Sequence, residues 1–154
     1  MLPLGRGFAE MVAPIRDRAM EARMDPLAQI AESQPYSKLL GIKLLEATKD
    51  KVVGELLIRE DLCTAGGTMH GGCMMSFCDV LGATGAWLAI PEGAKGTTTI
   101  DSNTSFLSGP PAGTLVTGVS LPVRIGRRLS VWQTEVTDPA GKKVCLVTQT
   151  QLVL

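Results

Sequence analysis

Residues 64–90 read TAGGTMHGGCMMSFCDVLGATGAWLAI, and the rest of the chain is organised around them. A glycine-rich loop leads through His70-Gly71-Gly72 into a mostly apolar run that carries one charge, Asp79. Apolar residues on nearly every side predict a buried helix. A carboxylate there is costly unless it is paired, hydrogen-bonded or functional. At roughly 100° per residue, Asp79 shares a face with Met75, Ser76, Gly82, Ala83, Ala86 and Ile90, mostly small side chains that leave room for a close approach. The opposite face, with Met74, Phe77, Leu81 and Leu88, suits packing against a sheet. Two readings of Asp79 stand side by side: a structural carboxylate bonded to a backbone group or an arginine, and a working acid.

The helix start adds a second element. Its first N–H groups lack intrahelical partners and carry partial positive charge, and Gly71 and Gly72 leave that backbone unshielded. Such donors polarise a carbonyl and hold an oxyanion; the plain alternative is a tight entry into the helix. Gly71 and Asp79 are eight positions apart, roughly 12 Å along a helix axis. One reacting carbonyl cannot touch both. If they cooperate, the donor and the carboxylate come from different subunits, which predicts a two-fold dimer with shared sites.

The pattern G-x-x-H-G-G-x(6)-D, ending at Asp79 and followed by strands, resembles the hotdog-fold thioesterases of the phenylacetate-degradation (PaaI-like) group. The resemblance covers residues 36–154. It implies an α+β fold in which a long central helix is wrapped by a curved antiparallel sheet of five to six strands. It also implies acyl-coenzyme A thioesters as substrates, coenzyme A being part of the substrate and no separate cofactor being needed. By position, Gly71 offers its N–H to the thioester oxygen, with Gly72 beside it in the substrate-binding set. Asp79 of the neighbouring subunit acts as base or nucleophile, and His70 shapes the site. Many members carry Asn or Gln six residues before the motif histidine; this chain has Thr64, a hydroxyl of shorter reach. Members also place hydroxyls on the strand that holds Thr98 and Thr99, of which Thr99 is the candidate. Basic residues near a strand turn hold coenzyme A phosphates in the family, which points to Arg124, Arg127 and Arg128. Guanidinium groups suit phosphate, although an exposed turn also attracts arginine for solubility.

The remaining sequence fits that frame. A length of 154 residues suits one folded domain, here 36–154, preceded by a helical extension over 1–35. Phe8, Met11, Val12 and Ile15 fall at helical spacing around Pro14, and Asp25-Pro26 makes an N-cap and first turn for a second short helix. This extension is a dimer-contact arm or a packed cap. Strands are predicted at 42–49, 52–59, 97–108, 114–125, 128–138 and 142–153, the last three joined by short turns into a meander that needs a helix on its apolar face. The 15 basic residues balance the 15 acidic ones, so charge gives no pull toward nucleic acid or anionic membrane. The four cysteines lack CxxC spacing, Cys73 and Cys78 read as small core residues, and no metal site is expected. Thiols without a secretory signal point to the cytoplasm. The central Asp79 and the small-residue breaks argue against a membrane span at 71–90.

The expected activity is therefore hydrolysis of a medium-chain or aromatic acyl-coenzyme A by a homodimer or dimer of dimers. The alternatives are a weakly active acyl-coenzyme A binding protein on the same fold and a hotdog hydratase or dehydratase. His70 is the only histidine in the chain, and its position at the helix start suits the thioesterase pattern better. Neither a G-x-S-x-G elbow nor a P-loop is present.

Overall fold

The computed structural model describes residues 25–154; the helical preface expected around Phe8 to Ile15 lies outside them. Asp25 caps helix α1 (Pro26–Ser33) by accepting from the Leu27 N–H, with Pro26 in the first turn as the sequence predicts. A short helix α2 (Pro35–Leu40) stops at Gly41, whose φ of 80° belongs to the left-handed region. Arg59 closes that helix end from across the fold, its guanidinium donating to the Leu40 and Leu39 carbonyls at 2.6 and 3.3 Å.

Six strands follow around one long helix: β1 (Lys43–Ala47), β2 (Val52–Leu57), helix α3 (Gly71–Leu88), β3 (Thr97–Phe106), β4 (Leu115–Ile125), β5 (Leu129–Thr137) and β6 (Lys143–Val153). They form one antiparallel sheet in the order β1-β2-β4-β5-β6-β3. The predicted meander is β4-β5-β6, and β3 lies outside β6 as a ten-residue edge. The first strand is shorter than expected because the Thr48 side chain takes over the turn, accepting from the Asp50 and Lys51 N–H groups. Helix α3 packs against all six strands. This is the hotdog architecture. No helix among the described residues is long and apolar enough to cross a membrane.

The helix meets the sheet through glycines. Phe77 and Leu81 point into the sheet and are fully buried. Beneath them Gly54 and Gly118 face each other on β2 and β4. A Cβ at Gly118 would stand 2.6 Å from the Leu81 side chain, and one at Gly54 would stand 2.7 Å from it. On the helix side, Gly85 receives the ring of the fully buried Trp132, which a Cβ would meet at 2.4 Å. The Trp132 indole N–H donates to Ser130 Oγ at 3.1 Å, so its burial leaves no polar atom unpaired. Gly85→Ala is therefore expected to destabilise the fold. Overpacking against a fixed ring costs about 1–3 kcal/mol and outweighs the gain in helix propensity of roughly 1 kcal/mol. Urea unfolding at fixed protein concentration checks this, and an unchanged or higher midpoint would contradict the packing argument.

The sequence predicts a helix buried on nearly every side, with room for approach at Asp79, and the described residues show where it stays open. Gly72, Met75, Ser76, Asp79, Ala83 and Trp87, spaced three and four apart, form a single stripe that stays partly or fully exposed. The sheet wraps the other faces and leaves this one open.

Candidate active site

Asp79 sits in the middle of the open stripe and is half-buried. The Thr99 hydroxyl, from edge strand β3, donates to its Oδ1 at 2.8 Å. Oδ2 has no hydrogen-bond partner among the described residues. No arginine or backbone N–H among them neutralises the carboxylate, so the structural reading of Asp79 loses its expected partner. Thr98 is exposed, so of the two adjacent threonines only Thr99 joins the acid.

The helix N-terminus is arranged around His70. Its Nδ1 accepts from the Gly72 N–H at 2.9 Å, making His70 the N-cap of α3. That bond requires an unprotonated Nδ1, hence the Nε2–H tautomer when the ring is neutral. The same contact commits the Gly72 donor. The Gly71 N–H is left without a partner among the described residues. Of the two candidate donors, the fold thus keeps one free. The Phe106 ring lies beside it, 3.1 Å from where a Gly71 Cβ would be.

Thr64 is placed differently from a free site hydroxyl. Its Oγ1 accepts from the Gly66 N–H at 3.3 Å and pairs with Thr68 Oγ1 at 3.3 Å. Its backbone closes the same loop onto Thr68 and Gly67. The hydroxyl holds the loop that delivers His70.

An open cavity of about 660 Å³ begins one helical turn beyond the acid, lined by Ile30 of α1, Ala83, Thr84 and Trp87 of α3, and Thr97 among others. Ala83 lies one turn beyond Asp79, and Thr97 lies two residues before Thr99 on the same strand face. Trp87 is exposed, so its ring is free for a ligand or a partner surface. Farther off, Arg124, Arg127 and Arg128 surround the β4–β5 turn, exposed and without an ion pair among the described residues. The register runs from Thr99 through Gln151 and Ser130 to Ile125, so this turn lies level with Thr99, three strands away. That is roughly 14 Å across the sheet.

Cys73 and Cys78 of α3 are buried. Burial raises the Cys73 thiol to about 11. Cys78 is pushed up by its hydrogen bond to Cys145, whose sulfur is 3.7 Å away, and by burial. A thiol held protonated is a poor nucleophile.

Sequence reasoning missed Gln149 and Gln151, which lie on the core side of β6; Gln151 donates to Thr99, the partner of Asp79. The signal was present: two glutamines at i and i+2 in a strand whose inward positions are otherwise apolar.

Residues 66–145 match the family described as Thioesterase superfamily. A putative esterase of Deinococcus radiodurans is 27% identical over 107 residues, which span 70% of this chain and 66% of that protein. The 1,4-dihydroxy-2-naphthoyl-CoA thioesterase 2 of Arabidopsis thaliana is 30% identical over 111 residues, 71% of this chain and 69% of that one. Among solved structures, a variant of the phenylacetic acid degradation protein PaaI from Thermus thermophilus superposes with a TM-score of 0.72 at 26% identity, covering 79% of this chain and 100% of that chain. With the wrapped helix and the H-G-G-x(6)-D geometry already in place, the matched family decides the identity: the chain belongs to the Thioesterase superfamily.

Proposed function

We propose that the protein hydrolyses acyl-coenzyme A thioesters to the free acid and coenzyme A, at sites that each draw on two subunits. The observation that carries this reading is Asp79 on the open stripe, with Oδ1 held by Thr99 and Oδ2 unpartnered. The thioester carbonyl oxygen accepts from the free Gly71 N–H of one subunit, in the field of the helix N-terminus. Asp79 Oδ2 of the other subunit either takes a proton from the attacking water or attacks the carbonyl itself. In the second route the thiolate leaves and water then opens the mixed anhydride. The spacing of roughly 12 Å along one helix makes the second subunit necessary.

Edge strand β3 supports such a dimer. Its outer side, opposite β6, presents unpaired backbone groups along a ten-residue strand with Ile100 and Phe106 exposed, an edge that a two-fold partner would cover by continuing the sheet. Exposed Leu121, Val123 and Leu129 on β4 and β5 offer a further surface for pairing dimers. The cavity one helical turn from Asp79, with Ile30 and Trp87 as apolar walls, suits a medium-chain or aromatic acyl group. Arg124, Arg127 and Arg128 stand where coenzyme A phosphates would extend from the thioester. Four free cysteines fit a reducing compartment such as the cytoplasm.

The test is thiol release from a panel of short, medium, long and aromatic acyl-coenzyme A esters. Turnover that favours the medium or aromatic members is the expected result. Tight binding without turnover would favour a carrier on the same fold, and neither binding nor turnover would overturn the proposal.

A further inference from the structure

Gln149 and Gln151 are 0% and 1% exposed beneath the central helix. A buried amide costs several kcal/mol unless it is hydrogen-bonded, and two aliphatic side chains would fill the same space without that penalty. Both amides are satisfied, and the bonds run in one direction. Thr97 Oγ1 donates to Gln151 Oε1 at 2.9 Å, Gln151 Nε2 donates to Thr99 Oγ1 at 2.7 Å, and Thr99 Oγ1 donates to Asp79 Oδ1 at 2.8 Å.

Gln149 fixes the middle of this chain. Turned one way, its oxygen accepts from Gln151 Nε2 at 2.8 Å and from the Ala83 N–H at 3.3 Å, while its nitrogen donates to the Cys78 carbonyl at 3.1 Å. Turned the other way, its nitrogen reaches Asp79 O and Oδ1 only at 3.3 and 3.4 Å, and its oxygen is set against the Cys78 carbonyl. The first orientation satisfies both ends and uses the second N–H of Gln151. The amide can lie this close to the helix because residue 82 is glycine; a Cβ there would be 2.5 Å from Gln149 Cδ.

We propose that Gln151, locked by Gln149, is a positioning residue that selects which oxygen of Asp79 reacts. Thr99 has one hydroxyl proton. Because Gln151 donates to its oxygen, that proton is directed to Asp79 Oδ1, and Oδ2 is the oxygen presented to water or to the thioester. Three donors aligned toward the carboxylate polarise one another and strengthen the last bond. The proposal rests on Asp79 as the working acid.

The test compares Gln151→Met, Thr99→Val and the double variant in the full chain with the best ester of the panel. Gln151→Met keeps the length of the side chain and removes the donor. Its kcat should fall about 10- to 100-fold with KM unchanged, Thr99→Val should lose a similar factor, and the double variant should lose no more than the worse single one. An unaltered kcat in folded Gln151→Met, or losses that multiply in the double variant, would overturn the positioning role. If Gln151→Met fails to fold, Thr97→Val removes the first bond of the chain at a half-buried strand start and should lower kcat several-fold, whereas wild-type kcat there would count against the chain. Absence of wild-type turnover would instead count against the thioesterase reading itself, which separates the two failures.

Discussion

Replacing Asp79 with asparagine is expected to lower kcat for thioester hydrolysis by about 10²–10⁴-fold while KM changes little. Asparagine keeps the size of the side chain, and its carbonyl oxygen can still accept from Thr99, so the contact at 2.8 Å survives. What disappears is the negative charge and the carboxylate Oδ2, which has no hydrogen-bond partner among the described residues and is the oxygen proposed to take a proton or attack the carbonyl. The neighbouring thiols cannot substitute, since burial keeps Cys73 protonated up to about 11. Steady-state thiol release, with circular dichroism and sedimentation to check fold and assembly, measures the effect. Near-native turnover in a folded variant would reduce Asp79 to a structural residue.

The second large effect concerns Gly71. It is the first residue of α3, a position where proline is well tolerated because its N–H has no intrahelical acceptor. His70 before it has φ −67° and ψ 137°, an extended conformation that a following proline accepts. Gly71→Pro thus removes the proposed carbonyl donor with little demand on the helix, apart from a contact with the half-exposed Phe106 ring. Loss of one such donor costs about 10²–10³-fold in kcat. The informative step is to mix Gly71→Pro subunits with Asp79→Asn subunits. If each site takes its donor from one chain and its acid from the other, a mixed dimer holds one intact site and one doubly broken site. Statistical mixing then restores about a quarter of the sites. Activity no higher than that of either parent, in dimers shown to have exchanged, would exclude the shared site.

The fold was legible because its signals are local. The apolar run after His70 predicted α3, and strand-forming runs separated by glycine, proline and aspartate turns predicted all six strands. The site was legible only in part. Asp79 and the glycines announce themselves as a charge in an apolar run and as donors at a helix start. The support of Asp79 comes from a strand 20 residues away and is itself held by Gln151, 52 residues from Thr99, and the register that joins Thr99 to Gln151 is a property of the folded sheet. The alternation along β6 places Gln149 and Gln151 on one face, but which groups they meet there is set only by the folded sheet. Thr64 illustrates the opposite difficulty. Its position matched a functional one, but a short loop rich in glycine uses the hydroxyl to close on itself, an outcome decided by contacts with Gly66 and Thr68. The open stripe of α3 has a related cause: its apolar residues look like core in the sequence, although the chain's own sheet does not reach them.

The glycine contacts between helix and sheet have a bearing on how this protein can be changed. With Leu81 seated over Gly54 and Gly118, and Gly85 against Trp132, the helix has no clearance to slide or roll by even a methyl group. The acid is thereby indexed to the strand that holds it, and any substitution on that floor moves the chemistry along with the packing. Ala83 and Trp87 stand on the opposite side, facing the cavity. The molecule thus divides into a fixed bed and an adjustable wall, and new acyl preferences are best sought by remodelling the wall, where side chains can change size without disturbing the alignment beneath them.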